Sequence, residues 1–136
     1  MDFEEELTRR LKAVPEVLFA LVFGSRTRET ARPDSDLDVA VFLDPALGDR
    51  ERFRLRLTLA AALEDLAPPD VVILNDAPPL LAHRALQGRR LFVRDPRAWV
   101  RFFVESMREA EDERYWEHIV AEARRQRIDR GRFGRP

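Results

Sequence analysis

Cysteine is absent from these 136 residues, and histidine occurs only at His83 and His118. No disulfide framework and no thiolate metal site can form, and two imidazoles argue against zinc. Lysine is nearly missing too, with Lys12 the only one among 24 basic residues. That bias fits a GC-rich genome or the ion-pair networks of a thermophile and says little about function. Nowhere do about 18 apolar residues follow one another, and the start MDFEEELTRR is acidic and then basic. The expectation is therefore a cytoplasmic protein with neither a membrane span nor a signal peptide. Charged residues make up 36% of the chain, yet the net charge is −1, so no strong field draws it toward nucleic acid and no direct nucleic-acid binding is expected. The basic ending RRQRIDRGRFGRP reads as a solvated tail.

A chain of 136 residues is one domain by length, enough for a sheet-and-helix core but too short for a separate substrate domain. Apolar residues Phe3, Leu7, Leu11 and Val14 recur at helical spacing before Pro15, which predicts a first amphipathic helix. Val17 to Phe23 is a continuous apolar run ending at Gly24, the pattern of a buried strand, and Ser25 is placed to start a short helix. Leu37 to Leu43 predicts a second strand. Leu47 to Leu66 predicts a helix ended by Pro68 and Pro69, and Asp70 to Leu74 a third strand. Pro78 and Pro79 suit the first turn of a helix over about Leu80 to Gln87, with Gly88 as its cap and Leu91 to Val93 as a short edge strand. From Pro96 to about Gln126 the spacing of Phe102, Phe103, Met107, Trp116, Ile119 and Val120 predicts a long helix or a helix pair. No repeat or low-complexity segment interrupts the chain.

The most informative stretch is GSRTRETARPDSDLDVAVFL, residues 24–43. Asp36 and Asp38 flank Leu37 at the head of the second strand, where residues two apart share a face. Their carboxylates can meet around one or two divalent cations, the arrangement that Mg2+ held by a few oxygens and substrate phosphates requires. Upstream, a strand ending in Gly24 and Ser25 at a helix start offers backbone N–H groups to a polyphosphate, and glycine permits close approach. Ser25 adds a hydroxyl donor; Arg26, and less directly Arg28, can neutralise charge. Nucleotidyl transfer asks for positioning, charge stabilisation and commonly one more carboxylate. Asp70, which opens the strand PDVVILND, is the candidate third acid, and Asp76 is the weaker one.

Together these residues resemble the polymerase-β-like nucleotidyltransferase superfamily, specifically its minimal, MNT-type members. FGSRTRETARPDSDLDVAVF is similar to the Gly-Ser signature followed by Asp-x-Asp, and PDVVILNDAPPLLAHRALQGRRLFVRD resembles the third-acid strand with its following helix and edge strand. The likeness spans roughly residues 17 to 95. It implies an α/β (α+β) fold, a small mixed sheet flanked by helices, with a minimal core over residues 1–95 and a helical extension and basic tail over 96–136 of the same domain. It further implies that Gly24, Ser25 and Arg26 bind the triphosphate of ATP, that Asp36 and Asp38 ligate Mg2+, and that Asp70 is the third acid and metal ligand. The sequence departs from the family at Glu29, where members commonly carry glycine.

Minimal nucleotidyltransferases typically pair with a helical HEPN ribonuclease toxin, and some transfer AMP from ATP to a tyrosine of that toxin. The resemblance thus implies an antitoxin that adenylylates and silences its partner. Two other readings stand beside it: a module that neutralises its partner by complex formation alone, and a small-molecule nucleotidyltransferase. Arg114 and His118 are spaced too closely for the Arg-x4-6-His ribonuclease motif. His83 reads as a packing residue on a helix, and Trp99, Tyr115 and Trp116 read as core or interface rather than base-stacking residues.

Overall fold

The computed structural model describes residues 2–24, 36–111, 117 and 120–126. Its centre is a four-stranded sheet of β1 (Val17–Phe23), β2 (Leu37–Leu43), β3 (Pro69–Ile73) and β4 (Arg89–Val93) in the order β3-β2-β1-β4. β1 runs antiparallel to both β2 and β4, whereas β2 and β3 are parallel. The two inner strands are buried almost throughout, which is why, Asp38 apart, they read as apolar runs rather than alternating ones. A shift of register between Val17 and Phe19 turns Val17 and Ala20 toward the same side of the sheet. Pro69 can open β3 because that strand lies at an edge, where a missing N–H breaks no ladder.

Helices cover both faces. α1 (Phe3–Lys12) starts where the Asp2 carboxylate accepts a hydrogen bond from the Glu5 N–H at 2.8 Å, and it carries Glu4, Glu5 and Glu6 in its first turn and Arg9, Arg10 and Lys12 in its last. Cap and charges both suit the helix dipole. It ends two residues before the expected Val14, since the residue before Pro15 is driven out of the helical region. α2 (Asp49–Leu63) is shorter than the expected Leu47–Leu66 because Gly48 forms its N-cap and the chain tightens at Leu63 before the proline pair. Leu7 and Leu11 of α1 and Leu59 and Leu63 of α2 join Val39, Val41 and Val71 in one cluster. Each such fully buried side chain contributes about 1.5–3 kcal/mol.

On the other face, α3 (Pro79–Leu86) and α4 (Pro96–Glu111) pack Ala82, Ala85, Trp99 and Phe102 against Phe19, Leu21, Phe23 and Ala40. Phe19 stacks on Phe42 at 5.1 Å and takes the edge of Trp99 at 5.1 Å. Trp99 is therefore a core residue, as expected, and so is His83, which is buried. The expected helix through Gln126 is observed as α4 together with helical residues 120–126, and Gln126 Oε1 accepts a hydrogen bond from Arg84 Nη1 of α3 at 2.7 Å. Gly88 follows the C-cap Gln87 and has no left-handed backbone, a conformation found among the described glycines only at Gly24. Its expected role as a conformational cap is thereby corrected. Among the described residues no helix is long and apolar enough to cross a membrane.

Candidate active site

The strand registers decide what meets at one end of the sheet. Phe23, the last residue of β1, lies opposite Asp38, and Asp38 lies opposite Asp70 on the parallel β3. Paired residues on neighbouring strands point to the same face, so the Asp38 and Asp70 side chains stand together on the α3/α4 side, along with Ala40 and Phe42 of β2. Strands in such a ladder lie about 4.8 Å apart. Two carboxylates carried side by side on neighbouring strands can share one cation between them. A hard divalent cation is what such an all-oxygen donor set suits.

Gly24 completes the corner. Its φ of +76° is the left-handed conformation that side chains rarely adopt, and a Cβ placed there would fall 2.1 Å from Asp38 Oδ2. The carboxylate of Asp38 therefore occupies the space that any other residue at position 24 would fill. The glycine brings the backbone leaving β1 directly against the Asp38 carboxylate, with no side chain between them.

Of the residues singled out in the sequence, the structure thus brings together Gly24, Asp38 and Asp70. Asp36 is exposed and sits just before β2, one residue outside its ladder. Among the described residues no group of three acidic or histidine side chains forms a ready-made metal cluster. Ser25, Arg26, Arg28 and Glu29 lie outside the described residues, as do Arg114, Tyr115, Trp116 and His118. Asp76 is at the opposite end of β3, where both of its carboxylate oxygens accept hydrogen bonds from Arg52 at 2.9 Å, so it serves the scaffold. The sequence reading missed Gly88. A Cβ there would lie 2.2 Å from the Val22 carbonyl oxygen and 2.7 Å from Phe23 Cβ, immediately before the Gly24 corner. A glycine at the end of a helix reads as a cap, and no local signal separates that role from a close approach.

A mixed sheet with helices on both faces and an acidic corner at the end of its inner strands is the architecture of a polymerase-β-like nucleotidyltransferase, the fold expected from the sequence. Residues 5–97 match the family described as Polymerase beta, Nucleotidyltransferase, and the chain belongs to that family. Solved structures extend the likeness past residue 97. A chain of a toxin–antitoxin complex with AMP-PNP is similar at 26% identity and a TM-score of 0.61, over 93% of this chain and 95% of that one. A chain of the complex between a tri-AMPylated Shewanella oneidensis HEPN toxin and its MNT antitoxin is similar at 25% identity and a TM-score of 0.56, over 93% of each. A third, from a toxin–antitoxin complex of MntA carrying two Asp-to-Glu replacements two positions apart, has 26% identity and a TM-score of 0.59, over 93% of this chain and 95% of that one. Among curated proteins, no sequence matches significantly.

Proposed function

We propose that this chain is an antitoxin that transfers AMP from ATP to a HEPN-type ribonuclease toxin and thereby neutralises it in the cytoplasm. The observation that carries the reading is the register placing Asp38 beside Asp70 and against Gly24, in a chain of which 93% is covered by chains of toxin–antitoxin complexes. In this reading Gly24, Ser25 and Arg26 receive the triphosphate, and Asp36, Asp38 and Asp70 hold Mg2+. The metal, when bound, would supply positive charge that offsets the negative charge of the triphosphate.

The chain's own contribution is positional. Asp38, fixed by its ladder and by the Gly24 backbone, orients the α-phosphorus toward the acceptor, and Asp70 takes the proton from the incoming toxin hydroxyl. One bond forms between that hydroxyl oxygen and the α-phosphorus; the bond from the α-phosphorus to the leaving phosphate oxygen breaks, and pyrophosphate departs. Residues 1–95 form the transferase core, and residues 96–136 supply a contact surface for the toxin. Exposed Val100, Phe103 and Val104 on α4, 56%, 40% and 38% accessible, support that division, since apolar side chains at this spacing mark one helix face.

The test is an intact-mass spectrum of the HEPN protein encoded beside this chain, after incubation with this chain, ATP and Mg2+. A gain of whole AMP units that disappears with EDTA and in the Asp36→Asn/Asp38→Asn variant is expected. Neutralisation that persists in that variant, with no gain of mass, would replace catalysis by simple complex formation.

A further inference from the structure

The position with no role in the transfer scheme, yet built tightly against its machinery, is Gly88. It sits in the turn between α3 and β4, where its N–H donates to the Ala85 carbonyl at 3.0 Å. Its backbone conformation is one that any residue adopts. What requires glycine is contact: a Cβ would meet the Val22 carbonyl oxygen at 2.2 Å, Phe23 Cβ at 2.7 Å and Phe23 Cα at 3.0 Å. Two of these three atoms are main chain and the third is a Cβ, so no rotamer change relieves the clash. Either the turn or the end of β1 must move.

Phe23 is the register partner of Asp38, and the next residue is Gly24, whose missing Cβ makes room for the Asp38 carboxylate. The two glycines therefore bracket the last residues of β1, with the α3–β4 turn closing on them from one side and the acidic corner following on the other. We propose that Gly88 is a positioning residue, through which the α3–β4 turn acts as the backstop that sets where β1 delivers the phosphate-binding glycine relative to Asp38 and Asp70. This rests on the nucleotidyl-transfer reading and adds to it a residue that touches neither nucleotide nor metal. A displacement of about 1 Å at such a corner is enough to cost on the order of a hundredfold in rate.

Gly48 provides a matched control, since a Cβ there would meet nothing closer than Glu51 Oε1 at 3.8 Å. The experiment compares wild type, Gly88→Ala and Gly48→Ala by AMP-PNP affinity in the presence of Mg2+, by the rate and ATP dependence of transfer, and by the amide resonances of Gly24 and Asp38. Gly88→Ala is expected to fold, to bind AMP-PNP at least tenfold more weakly, to transfer AMP more slowly per folded molecule, and to shift the Gly24 and Asp38 resonances. Gly48→Ala is expected to match wild type in all of these. A Gly88→Ala protein that binds and transfers normally despite a lowered melting temperature, or that fails to fold at all, would assign Gly88 to packing alone and overturn the proposal. If wild type itself binds no AMP-PNP, the transfer reading fails instead, which is a separate and recognisable result.

Discussion

Where β1 begins and β2 finishes, polar side chains are spent on the backbone. Asn75 reaches across to Leu43, accepting from its N–H and donating to its carbonyl, both at 2.8 Å. Arg94 donates to the carbonyls of Val17 at 2.9 Å and Lys12 at 2.7 Å, tying the end of α1 to the start of β1. Arg52 holds Asp76 through both carboxylate oxygens and also donates to the Leu47 carbonyl at 2.6 Å. At the other end of the same strands, Asp38 and Asp70 stand side by side, and among the described residues no arginine or lysine forms a salt bridge with Asp36 or Asp70. One end satisfies its polar groups within the fold, whereas the other places like charges together. That difference sets the acidic corner apart from the end that ties the strands together, and two carboxylates on adjacent strands are a donor set that a hard cation suits.

The sharpest way to break the comparison is to neutralise one acid. Asp38→Asn should lower AMP transfer by about a thousandfold, in the range seen when a preorganised charge-stabilising group is removed. The melting temperature should change far less than the rate. Initial rates and calorimetry on one preparation check both halves; a loss of rate accompanied by a large loss of stability would mean that Asp38 holds the fold after all.

Gly24→Ala should act at the same end by a different route. The left-handed backbone costs an ordinary residue about 1–2 kcal/mol, and the new Cβ would collide with the Asp38 carboxylate at 2.1 Å. Transfer should fall by about a hundredfold with a modest loss of stability, between the behaviour of the two ends. Wild-type rates in this variant would show that the corner is more compliant than its geometry implies.

The stapled end should give the reverse pattern. Asn75→Ala leaves the Leu43 N–H and carbonyl without their partner and should cost about 1–3 kcal/mol of stability. Below the new melting transition its transfer rate should remain that of wild type. Denaturant unfolding read beside the rate assay checks this; loss of activity in the folded protein would show that the two ends are coupled through β2.

The contrast also explains what the sequence made legible. Both inner strands were readable to the residue, as Val17–Phe23 and Leu37–Leu43, because burial on both faces leaves a run that is apolar apart from Asp38, with Gly24 closing the first and Pro33 and Asp34 preceding the second. Asp38 and Asp70 were readable as separate candidate acids near the heads of two strands, whereas their pairing depends on the parallel register of β2 and β3, which no local pattern fixes. Asn75 and Arg94 were not readable as staples, since their partners lie 32 and 77 residues away in sequence, and nothing local marks a side chain that bonds to distant backbone. Gly88 was misread because helix capping and close approach both favour glycine, and only the packed structure tells them apart.

The smallest expected effect concerns α1, which neither end of the sheet needs for chemistry. Hydrogen bonds from Arg9 and then Arg10 pull the Glu6 carboxyl down from 4.5 to about 2, and Arg10 lowers the Asp65 carboxyl in the same way while donating to the Ala62 carbonyl at 2.9 Å. A carboxylate whose folded value is depressed contributes stability that is fully present above its unfolded value. That contribution is lost as the pH falls, here from about 4.5 toward 2 for Glu6. Arg9 and Asp65 are exposed and Glu6 and Arg10 partly so, so solvent screens the ion pairs and the whole contribution is small. An Arg10→Ala variant should therefore melt slightly below wild type at neutral pH, and the gap should close on acidification through that window. Melting curves recorded for both proteins across the window test this: a gap that stays constant in acid would mean that Arg10 stabilises α1 through its bond to the Ala62 backbone rather than through Glu6 and Asp65.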